Sequence, residues 1–369
     1  MIIDITTRNF FRLLRSGAFG ENEQIEPMSA WKWRRVFQLS LMHDVTAVLF
    51  AGIDRCKNQF YMQMPLALME QWKACVDKTG QHNADTNLRL TELFGIFGRK
   101  QLRPIMLGGQ GLAALYDKPA LRSPDDIDIF FPFETQGKKA DKWGWENGTN
   151  LNDNERNVLS FLWQDVKVNH YHRIIRMTNS LHRRTLQSIV EKEFRENTPR
   201  FVTIDGMQIE ALPYTLQLLQ ILMRISRQLL NDGILLKQFT DLGIFLRKTG
   251  DKVDFVKLQS WIDRLHFSHM CQLEGAILVN LLSFNTNEIP FMSARGKCDM
   301  QQGMSELFAA RPRTEWHFQQ GNDIFVHTAN SSAMFWQMRH SARYFRYYPS
   351  ESATNFMSTF MHSLSHIEE

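Results

Sequence analysis

The stretch that most constrains this chain runs from Ile105 to Phe131 and reads IMLGGQGLAALYDKPALRSPDDIDIFF. A short apolar run leads into a glycine-rich turn, and a run of acidic residues then leads into a second apolar segment. Such a stretch is typical of a dinucleotide-binding fingerprint, of a metal site beside phosphate groups, or of an ordinary piece of sheet core. The surrounding residues separate these three alternatives.

The dinucleotide fingerprint is matched only in part. Gly109, Gly111 and Ala114 satisfy the spacing G-x-G-x-x-A after an apolar strand. Pro119 and Pro124 limit the following helix to about two turns, which is too short for a crossover to a parallel strand. The acidic residues also stand at the start of the second strand, whereas the ribose-binding acid of this motif follows the end of that strand. The two prolines therefore disfavour this interpretation.

The paired aspartates favour a metal site. Asp126 and Asp128 are two residues apart on a predicted strand, so both side chains share one face, about 6–7 Å apart along the strand. Carboxylate oxygens at that spacing suit Mg²⁺, which also prefers phosphate. Ile127 and Ile129 then point into the core, and Asp125 points away from the pair. The alternative is that the two aspartates only cap and solvate the end of a strand.

Composition and patterning predict an α+β protein. The chain has 369 residues, of which 43% are hydrophobic and 22% charged, as in ordinary folded domains. Residues 1–100 have helical periodicity, residues 101–212 contain the strand signals, and residues 213–369 are again helical. The clearest strand signal is FVTIDGMQIEAL, because Asp205 and Gly206 are typical of a two-residue hairpin turn. We therefore expect a mixed β-sheet core flanked by an N-terminal and a C-terminal helical region.

The middle region carries a further strand with two histidines. Residues 133–165 are polar and contain several glycines, which predicts a helix and a loop. The run that follows, DVKVNHYHRIIRM, alternates, so Val168, His170 and His172 share one face of a strand. The two histidines could hold a metal together with Asp126, but the pattern favours hydrogen-bonded histidines in a half-buried sheet.

Charge and cysteine usage narrow the class of protein. The formal net charge of +4 suits an anionic substrate and does not indicate a dedicated nucleic-acid binder. Three arginines interrupt the N-terminal apolar residues, and no apolar run reaches the length of a membrane span. The four cysteines lie far apart in the sequence, without CxxC spacing, and we expect reduced thiols in a cytoplasmic protein. These cysteines are Cys56, Cys75, Cys271 and Cys298.

Several segments together resemble a known family. GGQGLAALYDKPALRSPDDIDIF, VNHYHRI and the helical run LLQILMRISRQLLNDGILLKQFTDLGIFL are similar to a bacterial nucleotidyltransferase-like family, of the type found in Bacteroidetes, within the DNA polymerase beta-like superfamily. The opening segment FFRLLRSGAFG resembles the first helix of that family. The resemblance implies a nucleotidyltransferase-like mixed sheet with helices around it.

The resemblance also implies an activity and its cofactor. Members of such a family transfer a nucleoside monophosphate from a nucleoside triphosphate (NTP) to an acceptor hydroxyl, which here would belong to a small molecule, a sugar or a protein. Mg²⁺ is the implied metal, with Mn²⁺ as the alternative ion, and Asp126 and Asp128 are its implied ligands. The implied nucleotide-binding residues are Gly108, Gly109, Gln110, Gly111 and Arg122. Arg122 would either support the phosphates or pair with aspartates.

The chain departs from the family pattern at three positions. Gly108 stands where a lysine is usual, His170 where a third acidic residue is usual, and Arg227 where a histidine is usual. We therefore list His170 and Glu210 with the two aspartates as candidate catalytic residues, because Glu210 on the second hairpin strand could supply the missing acid. Two further acids could do the same, namely Asp165 and Asp241. The alternative hypothesis is a non-catalytic, nucleotide-binding or interaction protein with the same fold.

Overall fold

The computed structural model of the chain describes residues 4–59, 63–154, 158–231, 235–292, 344–354 and 357. The helices expected in residues 293–343 and the thiol of Cys298 lie outside the described residues. Every helix within them is either too short or too polar to cross a membrane.

Four helices precede the sheet, as predicted from the helical periodicity of the first hundred residues. They are α1 (Ile5–Phe19), α2 (Ala30–Met42), α3 (Thr46–Cys56) and α4 (Leu66–Arg99). Within the described residues up to 292, four more α-helices follow the sheet, namely α8 (Tyr214–Asn231), α9 (Leu236–Thr249), α10 (Phe255–Arg264) and α11 (Ser268–Leu282). The expected architecture, a mixed sheet flanked by helical regions, is confirmed. The division at residues 100 and 212 remains our proposal.

Within the described residues, the sheet has seven strands in the order β3-β4-β5-β2-β1-β7-β6. The strands are β1 (Ile105–Met106), β2 (Ile127–Phe130), β3 (Thr149–Asn154), β4 (Val158–Trp163), β5 (Val166–Tyr171), β6 (Arg200–Ile204) and β7 (Met207–Ala211). Helices α5 (Gln110–Ala113), α6 (Glu134–Asn147) and α7 (Ser180–Glu196) connect some of them. Strand β2 lies in the middle, antiparallel to β1 and parallel to β5.

Alternation along the strands builds two separate cores. Met106 and Ile129 face a core formed with the C-terminal part of α4 and with α6, which we call the α6 face. Ile105 and Phe130 face a larger core formed with the flanking helices, including α8, which we call the α8 face. Because side chains alternate, Asp128 belongs to the α8 face, where it is a polar residue on an otherwise apolar strand.

Two local predictions have different outcomes. The hairpin predicted at Asp205 and Gly206 is confirmed, with β6 and β7 paired and both residues at positive φ, 46° and 83°. The stretch 133–165 contains the predicted helix, α6, but β3 and β4 replace the predicted loop. Strand β3 reads TNLNDN and lies at the sheet edge, and such a polar strand lacks the apolar alternation that a sequence search detects.

Helices α1 and α3 cross at very close range. A Cβ atom at Gly52 would lie 1.9 Å from the carbonyl oxygen of Leu13, and one at Gly17 would lie 1.9 Å from that of Val48. Both obstructing atoms belong to helix backbone, which cannot rotate away. The crossing therefore requires glycine on each helix.

We predict that Gly52→Ala destabilises the protein by about 1–3 kcal/mol or more, because the two helices must separate. Gly80→Ala on α4 is the matched control, since a Cβ there meets no atom within 4 Å and alanine favours the helix. Urea denaturation of both variants measures the difference. Equal free energies of unfolding for the two variants would contradict the close crossing.

Candidate functional site

The glycine turn lies beside the start of β2. The backbone N–H of Leu107 donates to the carbonyl of Asp128 at 2.9 Å, which continues the pairing of β1 with β2. The chain then turns through Gly108 and Gly109 at φ of 79° and 52°, a left-handed conformation that glycine adopts without strain. A Cβ at Gly109 would lie 3.6 Å from the carbonyl oxygen of Asp126. The turn and the aspartates are therefore neighbours, as the motif predicted.

An amide joins the two aspartates. Asp128 pairs in register with Asn169 on the parallel strand β5. The side-chain N–H₂ of Asn169 donates to Asp126 Oδ2 at 3.1 Å and to Asp128 Oδ1 at 2.9 Å, while its oxygen accepts from the hydroxyl of Ser160 at 2.7 Å. The position that faces the pair from the neighbouring strand thus holds an amide. The expectation from the family resemblance, that His170 stands at this position, is wrong by one residue.

Two cations balance the aspartates. The ammonium of Lys167 lies 3.0 Å from Asp126 Oδ2, and the guanidinium of Arg224 on α8 lies 3.5 Å from Asp128 Oδ2. Asp126 is 41% exposed and Asp128 only 6%, so the two carboxylates differ in their contact with water. Arg224 also approaches Gly108, where a Cβ would lie 3.6 Å from its Nη1. A side chain at Gly108, such as that of lysine, would therefore begin in contact with Arg224.

Burial perturbs one member of the pair. Burial of the Asp128 carboxyl raises its pKa to about 6, even though Arg224 and Asn169 favour the ionised form. The negative charges of Asp125 and Asp126 raise it further. The pair therefore combines one exposed carboxylate with one whose ionisation is costly when no cation is bound.

The aspartates open into a cavity of about 550 Å³ between β5 and α8, which we call the cationic cavity. Asp126, Asp128 and Asn169 line it together with Tyr171 and Leu107. Six basic side chains also line it, namely Lys167, Arg173, Arg176, Arg183, Arg224 and Arg227. An anionic ligand fits such a cavity because its charge is met from several sides.

A buried ion network holds the segment that leads into β2. The guanidinium of Arg122 is 2% exposed and donates to both oxygens of Asp241 on α9 at 2.8 Å, and to Asp125 at 2.6 Å. The ammonium of Lys237, one turn before Asp241, donates to Asp125 as well. Burial alone would raise the pKa of Asp125, but Arg122 and Lys237 hold it well below its ordinary value. Asp125 therefore points away from Asp126 and Asp128, as expected.

The other predicted residues lie elsewhere. Arg122 sits in the ion network and does not line the cationic cavity. The side chain of Gln110 is buried and donates to Asn87 on α4 at 2.6 Å. Glu210 pairs with Arg103 at 2.5 Å, on a strand separated from β2 by β1. Two further candidate acids are also paired outside the cavity, Asp165 with Arg89 and Asp241 with Arg122.

The two histidines lie on the α6 face, across β5 from the aspartates. His170 pairs in register with Ile129, and its Nδ1 lies 2.6 Å from Asp141 Oδ1 on α6. His172 Nε2 lies 3.0 Å from Asp141 Oδ2. The shared face was predicted correctly, but the carboxylate that the two histidines meet is Asp141, and Asp126 is on the other face.

Several site residues were missed because their partners come from distant segments. Asn169 follows from the strand period once β5 is known to be the parallel neighbour of β2, a pairing that no local pattern encodes. The basic residues of the cavity come from β5, the following loop, α7 and α8. Arg183 on α7 is exposed, and the helix face that carries it borders the cavity.

A family model described as an uncharacterised nucleotidyltransferase matches residues 29–282, which is more than half of the chain. The chain therefore belongs to this nucleotidyltransferase family. The matched residues include the glycine turn, both aspartates, the ion network and the basic helix α8. Comparison with curated proteins and with solved structures finds no match.

We predict that Arg122→Met destabilises the protein by about 3–5 kcal/mol, because Asp241 loses its bidentate partner in a buried site. Urea denaturation measures the loss. Adding Asp241→Leu should recover part of it, since both members of the pair are then gone. The control Arg34→Met, at an exposed position on α2, should change stability by less than about 0.5 kcal/mol. A similarly small effect at Arg122 would contradict a supporting role for the network.

Asp128 generates a second prediction through its raised pKa. An aspartate with a folded-state pKa of about 6 stabilises the folded protein most below the unfolded pKa of about 3.9, and this contribution is lost as pH rises through about 6. We therefore expect Asp128→Asn to stabilise the metal-free protein by about 3 kcal/mol at pH 7.5, with the gain shrinking towards pH 4.

Thermal unfolding from pH 4 to 8 in the presence of a chelator measures this difference. Asp126→Asn is the matched control, because Asp126 is 41% exposed and should show little gain. A pH-independent difference between wild type and Asp128→Asn would show that ionisation of Asp128 is not the cause.

Proposed function

We propose that this chain binds an NTP with Mg²⁺ in the cationic cavity and transfers its nucleoside monophosphate to an acceptor hydroxyl. The observation that carries the proposal is the Asp126–Asp128 pair on the wall of a cavity that six basic side chains line. The glycine turn beside the pair and membership of a nucleotidyltransferase family support it further. The acceptor hydroxyl would belong to a small molecule, a sugar or a protein.

The aspartate pair fits one Mg²⁺ ion. Asp126 and Asp128 offer carboxylate oxygens on one strand face, the ligand type that this hard cation prefers. Asn169 directs its N–H₂ between the two carboxylates, so it orients them and adds no third negative ligand. Bound Mg²⁺, or Mn²⁺ in its place, would polarise the phosphoryl oxygens and neutralise charge. Asp128 must be ionised to bind the cation, and its raised pKa implies weaker binding below about pH 6.

The basic residues would hold the phosphates. Arg224 is the best placed, because its half-exposed guanidinium lies 3.5 Å from Asp128 and beside Gly108. Arginine presents several N–H donors in a planar fork that matches phosphate oxygens. A cation from α8 could thus replace the lysine that the family usually carries at the position of Gly108. Backbone groups of Gly108 to Gly111 would contribute at the edge of the cavity.

A second function is favoured by one specific observation, the amide at position 169. Nucleotidyl transfer is commonly assisted by a third carboxylate that binds metal or accepts the proton of the attacking hydroxyl. Asn169 cannot accept that proton, and within the described residues Glu210, Asp165 and Asp241 are all paired elsewhere. The alternative is therefore a protein that binds NTP and Mg²⁺ without transferring the nucleotide.

Three broader proposals accompany the activity. A cytoplasmic location is supported by free thiols at the three described cysteines, Cys56, Cys75 and Cys271. We also propose, from the resemblance, a bacterial source for the chain. An acceptor other than nucleic acid is supported by the small net charge of +4.

We predict that at least one of the four NTPs, with Mg²⁺ or Mn²⁺, raises the melting temperature of the wild-type chain. A ligand at 100 times its Kd stabilises by about 2.7 kcal/mol. Asp128→Ala should lose this shift, since the buried carboxylate is required for the metal. Asp165→Asn, which removes an exposed carboxylate outside the cavity, should retain it. If no NTP shifts the wild type, both the transferase and the binding-only hypotheses fail.

Transfer itself is measured separately from binding. Each NTP that binds is supplied with the label on its α-phosphate, together with a panel of hydroxyl compounds and with the chain itself as acceptor. Release of pyrophosphate with label incorporation, lost in Asp128→Ala, supports the transferase. A thermal shift without either product in the wild type supports the binding-only alternative. In that case Asn169→Asp, which restores a third carboxylate at the same position, is the variant most suited to gain activity.

A further inference from the structure

The far side of strand β5 carries a second group of metal-binding side chains. Successive side chains of a strand point to opposite faces of the sheet. Asn169 points to the α8 face, and His170 and His172 therefore point to the α6 face. Helix α6 covers this face and contributes Asp141. The group formed by Asp141, His170 and His172, which we call the His-Asp triad, is thus separated from the aspartate pair by the thickness of the sheet.

The ligand atoms of the His-Asp triad converge on one point. His170 Nδ1 and His172 Nε2 lie 2.6 Å and 3.2 Å from the same oxygen, Asp141 Oδ1, and all three ligand atoms lie within 4.8 Å of one another. The other carboxylate oxygen lies 3.0 Å from His172 Nε2. Donors that each lie about 2.0–2.2 Å from one ion are about 3.0–3.4 Å apart. The contacts of His172 with Asp141 already match this spacing, and the shorter contact of His170 would lengthen when an ion replaces its hydrogen bond.

Packing fixes the buried histidine in the orientation that the triad needs. The His170 ring stands edge-to-face against Phe131 at 5.2 Å, and it is 2% exposed. Gly137 lies one turn before Asp141 on α6, and a Cβ there would lie 3.6 Å from His170 Cε1. Helix α6 therefore packs directly over the ring at Gly137, and its next turn brings the Asp141 carboxylate to the ring nitrogen. The two ligands are therefore placed before any ion binds.

The triad keeps one side open to solvent. His172 is 37% exposed and Asp141 is 25% exposed, whereas His170 lies at the bottom. Water can therefore reach the point between the three ligands and complete the coordination of an ion. Two imidazoles and one carboxylate form the ligand set of many open zinc sites and of non-haem iron sites.

We propose that Asp141, His170 and His172 form a second metal site, which takes a borderline divalent ion of the Zn²⁺ class. Its ligands differ in chemistry from the all-oxygen pair Asp126–Asp128, so the two sites select different ions. Imidazole nitrogen favours Zn²⁺ and its transition-metal neighbours over Mg²⁺. The ion would tie the end of β5 to α6 and so fix the strand on which Asn169 stands.

The experiment uses the full chain, stripped with a chelator and dialysed, and titrated with Zn²⁺ and separately with Co²⁺. We expect the His-Asp triad to bind one ion per chain. Co²⁺ bound there to nitrogen and oxygen ligands should give absorption in the visible range. Asp141→Asn and His172→Ala should each weaken Zn²⁺ binding at least about tenfold. Mutation of residues that only hydrogen-bond to a metal ligand already lowers metal affinity by about 10–100-fold, and loss of a ligand itself should lower it at least as much. Both side chains are partly exposed, so both variants should fold, which circular dichroism checks.

The matched control is His82→Ala, which removes an exposed histidine on α4 and should bind Zn²⁺ like the wild type. Two outcomes would overturn the proposal. One is equal Zn²⁺ affinity in wild type, Asp141→Asn and His172→Ala, which would place the ion elsewhere. The other is an absence of Co²⁺ absorption in the wild type, which would leave the triad as a hydrogen-bonded cluster. The titration contains no nucleotide, so it is independent of the proposed transfer activity.

Discussion

The buried ion network around Arg122 determines where the functional strand begins. Beyond Tyr116, the segment that leads to β2 contains two prolines and adds no side chain to either apolar core, so apolar packing does little to fix its path. Asn83 on α4 donates to the carbonyls of Ala120 and Arg122 at 2.9 Å and 2.8 Å, and Asp241 on α9 binds the Arg122 guanidinium. The segment is thus tied to an early helix and a late helix at once. Buried ion pairs add little net stability, but they penalise every path that leaves a charge unpaired.

This arrangement explains why three closely spaced aspartates, Asp125, Asp126 and Asp128, behave differently. Asp125 belongs to the network, and its neighbours hold it ionised. Asp126 reaches water and Lys167. Asp128 is buried against Arg224 and Asn169, and its pKa is raised to about 6. Strand geometry distributes the three carboxylates over separate environments, and only the second and the last share the cationic cavity. The segment SPDDID therefore contains Asp125, which holds the segment in place, followed by Asp126 and Asp128, which form a pair suited to a metal ion.

Local patterns were sufficient for the central motif and insufficient for its surroundings. The glycine turn, the strand that carries Asp128 and the Asp205-Gly206 hairpin all depend on neighbouring residues, and the structure contains them as predicted. Asp126 was predicted on the same strand and lies one residue before its start. The placement of Asn169 depends on which strand lies beside β2 and in which register, and this is decided by packing over more than 40 residues of chain. An error of one position exchanged Asn169 for His170, because adjacent strand residues point to opposite faces. Strand β3 was missed because its polar sequence gives no alternating signal.

The opposite orientation of Asn169 and His170 has a consequence for the tolerance of β5 to change. A slip of this strand by one residue would place either His170 or Val168 between the two aspartates, and correspondingly either Tyr171 or Asn169 against Asp141, so the contacts on both faces would be lost together. Pairing over six residues with β4 and over four with β2 opposes such a slip. An insertion or deletion in the turn between β4 and β5 would therefore alter both faces of the sheet in a single step. Point substitutions, by contrast, can change either face alone, which leaves the two groups free to diverge independently.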